Sequence, residues 1–262
     1  MKTMGRSFIG LLALFLAMCM PGTYDLMAQT FSDNSRIPSK YRDGEIRRQS
    51  FTAAIKALEC EGVFEVEIVQ GNENSITLAG EKKKVDEVRV EEKEPGKVRV
   101  FFTEEYDDNK FYRRGLKKVF VLVTLTRPQE LGEVELEGVC TLVHRPKYKV
   151  ERFKLDLEGV SNATMSLDVK DLKINIEGVS KLDLAGRGEN MNLELSGTSS
   201  LNALTFDVAR ADLEVDGMSH AWVKVSEKLK CDVSGVSKVV YKGNPRSVEK
   251  NVSTLSSVKS RR

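Results

Sequence analysis

The chain has 262 residues, 40% apolar and 31% charged, enough of both to build one large domain with a core and a wet surface. Its 41 lysines and arginines meet 39 aspartates and glutamates, a net charge of +2, so no strong field exists and nucleic-acid binding by bulk charge is excluded. Two histidines in the whole chain leave no ligand set for a zinc site, and no metal or cofactor is expected.

In chain order, the first feature is a processing signal. Lys2 and Arg6 precede an apolar run from Phe8 to Met20 that Pro21 and Gly22 break, and Leu26-Met27-Ala28 offers a cleavage site before Gln29. The run is too short to span a bilayer comfortably, so residues 1–28 read as a secretory signal peptide. The expected location is outside the cytoplasm, in the periplasm or on the cell surface. A lipoprotein anchor through Cys19 is the weaker reading, because Met18 stands where such processing wants a small residue. No transmembrane segment is expected in the mature chain. Residues 29–47 are polar and aperiodic and read as a flexible leader.

From Arg48 period-two alternation begins, and no long window favours a helical period, which makes the chain all-β. Phe64, Val66 and Ile68 mark one strand; a turn at Gly71–Asn74 leads to Ile76–Leu78. Val85, Val88 and Val90 predict another strand, Pro95-Gly96 a type II turn, and Val98, Val100 and Phe102 the returning strand. Residues 104–116 read as a loop, and Val119–Leu125 as a strong strand closed by Pro128. Residues 48–132 together form an irregular head.

Residues 133–243 then write one phrase six times: VELEGVC, LDLEGVS, INIEGVS, LELSGTS, LEVDGMS and CDVSGVS. The glycines are Gly138, Gly159, Gly178, Gly197, Gly217 and Gly235, at spacings of 21, 19, 19, 20 and 18. A unit this short cannot bury its own apolar face and must stack on its neighbours. Four residues before glycine stand Val134, Leu155, Ile174, Leu193, Leu213 and Cys231, and two before stand Leu136, Leu157, Ile176, Leu195, Val215 and Val233. With a side-chain period of two, these columns share one face, while the intervening acids and serines face out. Apolar content resumes past each glycine, so a second strand follows a bend there. The prediction is a parallel β-solenoid of about 19-residue coils, stacked at ~4.8 Å per coil. Residues 244–262 are expected to cap it.

These motifs carry a family resemblance. The Gly62–Gln70 strand with its Gly71 turn, the Gly-Val-Ser coils and the closing Tyr241-Lys242-Gly243-Asn244-Pro245 resemble the putative auto-transporter adhesin, head GIN domain family, common in Gram-negative envelope proteins. The resemblance covers Arg48 to the C-terminus. It implies a right-handed parallel β-helix behind an export signal, of unknown function. Where members end on another Gly-Ser turn, this chain has Ser256-Ser257-Val258.

The residues themselves offer little chemistry. Ser161, Ser180, Ser199, Ser219 and Ser237 recur two after glycine, a column suited to coil-to-coil hydrogen bonds; no histidine recurs beside them to act as base. Cys60, Cys140 and Cys231 are expected to be free and buried, since Cys140 and Cys231 fall five coils apart, ~24 Å, beyond the reach of a disulfide. Glu137, Glu158 and Glu177 stack on the surface; calcium could relieve them, but Lys154, Lys173 and Lys230 are expected to do so instead. Outward acids are spread evenly rather than gathered in pairs, so no enzyme is expected. His220 and Trp222, the lone tryptophan, form a candidate surface-binding patch for a sugar or peptide, against the plainer reading of an edge-covering aromatic. The basic group Lys110, Arg113, Arg114, Lys117 and Lys118 reads as a solvated loop with a secondary potential for anionic polysaccharide or lipid headgroups. The functional expectation is a non-enzymatic cell-envelope binding or adhesion module that takes a glycan or a protein. The alternatives are a carbohydrate-active β-helix enzyme and a purely structural envelope protein.

Overall fold

The structure, a computed structural model, describes residues 35–103, 117–144, 146–147 and 149–261. The signal sequence, leader residues 29–34, and Lys110, Arg113 and Arg114 of the basic group lie outside the described residues. The chain divides into two units, residues 1–43 and 44–262. Among its described residues the first holds one helical turn, α1 (Ser39–Arg42), whose Arg42 guanidinium folds back to donate to the carbonyls of Ile37 at 2.7 Å and Ser35 at 2.8 Å. This part of the expected flexible leader is therefore a hydrogen-bonded turn.

The second unit opens with β1 (Glu45–Phe51), three residues ahead of the expected start at Arg48, followed by β2 (Ala57–Gly62), β3 (Phe64–Gln70) and β4 (Asn74–Gly80). A short helix, α2 (Lys82–Glu87), stands where Val85 had predicted a strand. Three consecutive lysines are good helix formers, and the turn needs one anchor, the fully buried Val85. Then come β5 (Val88–Glu94), β6 (Lys97–Phe102), β7 (Val119–Leu125), a 3-10 turn at Pro128–Glu130, β8 (Glu133–Gly138), β9 (Thr141–His144) and β10 (Lys149–Leu157). Long bent strands follow: β11 (Asn162–Ile176), β12 (Lys181–Leu195), β13 (Ser200–Val215) and β14 (His220–Val233). The last strands are β15 (Lys238–Lys242), β16 (Ser247–Val252) and β17 (Ser257–Ser260).

The repeats stack as a parallel β-solenoid. Leu155, Ile174, Leu193, Leu213 and Cys231 lie in one register row, and Leu157, Ile176, Leu195, Val215 and Val233 in another. All ten side chains are buried. One wall carries β8, the second halves of β10–β14, and β16; the other carries β9, the first halves of β11–β14, and then β15 and β17. The walls meet at the glycine turn on one side. On the other they meet at a bend inside each long strand, where Lys170 and Glu189 drop out of the pairing.

The head is more regular than the sequence suggested. β2 pairs in parallel with β8, from Ala57 opposite Glu133 to Gly62 opposite Gly138, so Gly62 heads the glycine column. β6 and β7 pair in parallel with the other edges of β2 and β3. The chain thus lays down one coil (β2–β3), doubles back to build the layer outside it (β6–β7), and then crosses to continue the stack at β8. Antiparallel strands close that end: β5 on β6, β4 on β7, and β1 on β4. At the other end β16 and β17 add a further coil in register with β14 and β15.

The turn chemistry follows from the stacking. Gly178 has φ 82°, and a Cβ there would sit 2.4 Å from the Gly159 carbonyl oxygen of the coil beside it. The same carbonyl accepts two bonds from the Gly178 coil, the Val179 N–H at 2.7 Å and the Ser180 Oγ hydroxyl at 3.3 Å. In turn the Ser161 N–H donates to Ser180 Oγ at 3.1 Å, and this linkage repeats through Ser199, Ser219, Ser237 and Ser256. The serine column is a hydrogen-bonded ladder, as its spacing implied. Ser256 keeps the ladder although its coil has Thr254 in place of glycine, donating to the Gly235 carbonyl at 3.0 Å.

Candidate binding surface

Outside the bend that joins the two walls lies a groove of about 650 Å³ across five coils, whose strands stay paired in register. Its floor is the backs of Phe153, Leu172, Met191 and Ala211, which point inward and are buried. Its rims are the two outward columns on either side. One rim is Arg152, Asp171, Asn190, Arg210 and Lys228; the other is Lys154, Lys173, Asn192, Asp212 and Lys230. Six cations and two acids line it, and among the described residues every one of those cations except Arg152 is ion-paired within the chain.

Hydrogen bonds running from coil to coil hold both rims. Asn190 Nδ2 donates to Asp171 at 2.6 Å, Arg210 Nε donates to Asn190 Oδ1 at 2.8 Å, and the Arg210 Nη1 meets Glu227 at 2.9 Å. On the second rim Lys230 bonds Asp212 at 2.9 Å, which raises the lysine pKa, and Lys173 meets Glu194 at 3.6 Å. Lys228 reaches Glu249 at 2.8 Å. Among the described residues Arg152 forms no ion pair. The groove therefore presents hydrogen-bonding groups at one coil height apart, already oriented. Column reading of the sequence reached Lys154, Lys173 and Lys230, five residues before their glycines, but assigned them to the glutamate column; the column seven before glycine was not read.

The candidates from the sequence fall elsewhere. His220 and Trp222 do meet: their rings stack at 5.8 Å and 16° on the outer face of β14. His220 is exposed and Trp222 half-buried, and neither lines the groove. Trp222 stands in register with Val240, an outward residue that is nonetheless buried, which fits the covering role for the tryptophan. Lys117 is bound to Glu81 at 3.0 Å and Lys118 to Thr141 Oγ1 at 2.7 Å.

The expectation that Lys154, Lys173 and Lys230 relieve the Glu137–Glu158–Glu177 column is corrected. Lys154 bridges Glu133 at 2.9 Å and Asp156 at 2.6 Å, and the other two lysines serve Glu194 and Asp212. Each lysine thus reaches the acids closest to its own position along the strand. Burial, together with Glu137 and Glu177, pushes the Glu158 carboxyl above its usual range. One trio of carboxylates among the described residues, Glu133, Glu135 and Asp156, is close enough to share an ion. The Lys154 ammonium already occupies that position. Burial foremost, then Glu59 and Asp156, raises the Glu135 pKa.

Cys60, Cys140 and Cys231 are free and buried. Burial pushes the thiols of Cys140 and Cys231 up to about 12, so they are poor nucleophiles. The serine column is spent on the ladder, and His220, which follows Ser219, faces outward and stacks on Trp222. His144 is buried in the inward column, edge-on to Phe153 at 6.5 Å.

Comparison with known proteins places this geometry. Residues 55–245 match the family model described as "Putative auto-transporter adhesin, head GIN domain". No curated protein sequence matches the chain. Among solved structures, a putative adhesin from Bacteroides fragilis is 16% identical and superposes with a TM-score of 0.73 over 82% of this chain and 97% of that one. A putative adhesin from Parabacteroides merdae is 17% identical, with a TM-score of 0.58 over 83% and 96%. A protein from Parabacteroides distasonis described as a putative lipid binding protein is 13% identical, with a TM-score of 0.59 over 84% and 98%. At these identities the likeness is one of fold.

Proposed function

The chain belongs to the putative auto-transporter adhesin, head GIN domain family, and from that premise we propose that it is an exported, non-enzymatic binding module of the cell envelope whose groove takes a linear, acidic glycan. The observation that carries this reading is the groove itself: oriented polar and cationic side chains repeat at the height of a coil along both rims. A polysaccharide is the ligand class whose own groups recur along a line. Carboxylates on it would meet Arg152 directly and compete with Glu227 and Glu249 for Arg210 and Lys228, and such contacts weaken with salt.

Several features support binding without turnover. The groove contains two carboxylates, Asp171 and Asp212, and each is committed to a hydrogen bond or ion pair from a neighbouring coil. Glycoside cleavage by the usual route needs two carboxyl groups facing across a bond, one of them with a raised pKa. The raised carboxyls of the described residues, Glu135 and Glu158, lie outside the groove. Export rests on the reading of residues 1–28, and among the described residues no helix is long and apolar enough to cross a membrane.

The test is incubation with a panel of neutral and acidic polysaccharides, read for retention and for new reducing ends. Retention of acidic members, reversed by salt and without new ends, is the expected result. New reducing ends would make the protein an enzyme, and no retention at all would leave it a structural component.

A further inference from the structure

The outer face of the second wall is neutralised within itself over most of the coils and left basic at one end. In the middle coils Lys181 pairs with Asp183 and Arg187 with Asp168, each at 2.8 Å. At the last coils β14, β15 and β17 lie side by side in parallel register. His220, Trp222 and Lys224 of β14 stand opposite Lys238, Val240 and Lys242 of β15. In the next strand Lys259 stands opposite Val240. Arg261 follows in the same phase, its backbone N–H held by the Tyr241 carbonyl at 2.8 Å. The alternate residues Val223, Val239 and Tyr241 are buried, so this set points outward.

Five cations and the indole share this face, and no carboxylate stands among them. Lys224 is bridged to Asp207 at 2.5 Å, at the edge of the patch. Among the described residues Lys238, Lys242, Lys259 and Arg261 form no ion pair. In this they differ from the cations of the groove, which are paired except for Arg152. Charge that only deters strand pairing belongs on the edge strand. Lys238 and Lys242 lie one strand in from that edge and Trp222 two, so deterrence does not account for the patch.

We propose that this face docks the protein on a lipid bilayer that carries anionic headgroups. The unpaired cations require an anionic partner, and a bilayer, rather than an acidic polymer, fits the rest of the patch. Three paired strands make the face broad and flat, as a membrane surface is. Trp222 is half-buried and stacked on His220 at 5.8 Å, and an indole with an apolar body and a polar N–H settles at headgroup depth. The corner beside the patch is apolar. Met218, Val236 and Leu255 stand two residues before His220, Lys238 and Ser257 and are 58, 56 and 74% exposed. A sugar polymer offers those side chains nothing, whereas a bilayer takes them to its acyl boundary while the lysines stay among the phosphates. This goes beyond glycan binding. None of these residues lines the groove, so either site can fail without the other.

The chain has one tryptophan, at the centre of the patch, which makes the test local. The probe is phosphatidylcholine vesicles, with or without phosphatidylglycerol as about a third of the lipid. The protein is expected to co-sediment with the anionic vesicles, less so as salt rises, with a blue shift of Trp222 emission that shallow brominated lipids quench. Lys238→Glu with Lys259→Glu should weaken this at least tenfold, and Leu255→Ser should weaken it too, with melting temperatures little changed. Arg152→Ser with Arg210→Ser should leave it as it is. No binding, equal binding to pure phosphatidylcholine, or binding without a change in Trp222 emission would each overturn the proposal. So would full binding by the double lysine variant, or the same emission shift from a soluble acidic polysaccharide.

Discussion

Gly178 shows how little freedom a single residue of the repeat has. Its positive φ is open to glycine, and a Cβ would meet the Gly159 carbonyl oxygen at 2.4 Å, with backbone rather than a movable side chain as the obstacle. Gly178→Ala is expected to lower unfolding stability by about 2–4 kcal/mol in chemical denaturation, combining left-handed strain with a forced separation of coils. Ser180 should cost less, since Ser180→Ala removes one donor and leaves the Ser161 N–H without its acceptor, roughly 1–3 kcal/mol. His144 sets a pH dependence. Burial holds its pKa down to about 4 against an ordinary 6.5, so the fold favours the neutral ring. The unfolded chain then binds the proton first, and stability present above pH 6.5 is lost as pH falls toward 4, on the order of 3 kcal/mol in all. The raised carboxyls of Glu135 and Glu158 act with the opposite sign, so the measurement is the difference between wild type and His144→Leu across that window. A flat difference curve would remove the buried histidine from the account.

Among the elements, the terminal strands explain how the stack avoids growing. β16 is exposed at all six positions, and its inward column carries Lys250 in register with Cys231. The Lys250 ammonium lies over the Tyr241 ring at 5.0 Å, so the charge leans across the core instead of entering it. An inward charge on an edge strand is a barrier to strand pairing with another chain. Lys250→Val should therefore raise thermal stability modestly and increase end-to-end association, both readable in a melting curve and light scattering at several concentrations. No change in association would show that the charge is not the barrier. The elements also show where sequence patterns run out. The coils from Gly138 to Gly235 were legible because every coil repeats the same inward columns. The layer formed by β6 and β7 was not, because its strands are separated by 104–116 and return to the stack at no fixed spacing. α2 was missed because Lys82–Lys84 and a single buried valine have no period to read.

For the whole molecule, core and surface differ in how they can be inferred. The core is a column property: Leu155, Ile174, Leu193 and Leu213 predict one another, and their burial follows from alternation alone. The groove is a property of the bend, which is invisible in any one coil, so Arg152, Asn190 and Arg210 read as ordinary surface residues until the stacked coils line them up beside Met191. His220 and Trp222 were legible as an outward aromatic pair, and the structure stacks their rings on each other, with Val240 beside Trp222 on the next strand. The same contrast holds for Val160, Val179 and Val236, which follow the turn glycines: they are visible as letters, but their exposure depends on the turn geometry that residues such as Gly178 and Ser180 impose.

The groove as the seat of binding is the claim with the greatest consequence, and one titration reaches it. The wild type and an Arg152→Ser/Arg210→Ser variant are titrated calorimetrically with the acidic polysaccharide that the panel retains best, at low and high salt. Binding by the wild type that weakens with salt, and falls about tenfold or more in the variant while its melting temperature is little changed, is the predicted result. Equal affinity of the two proteins would place the binding surface elsewhere and contradict the account.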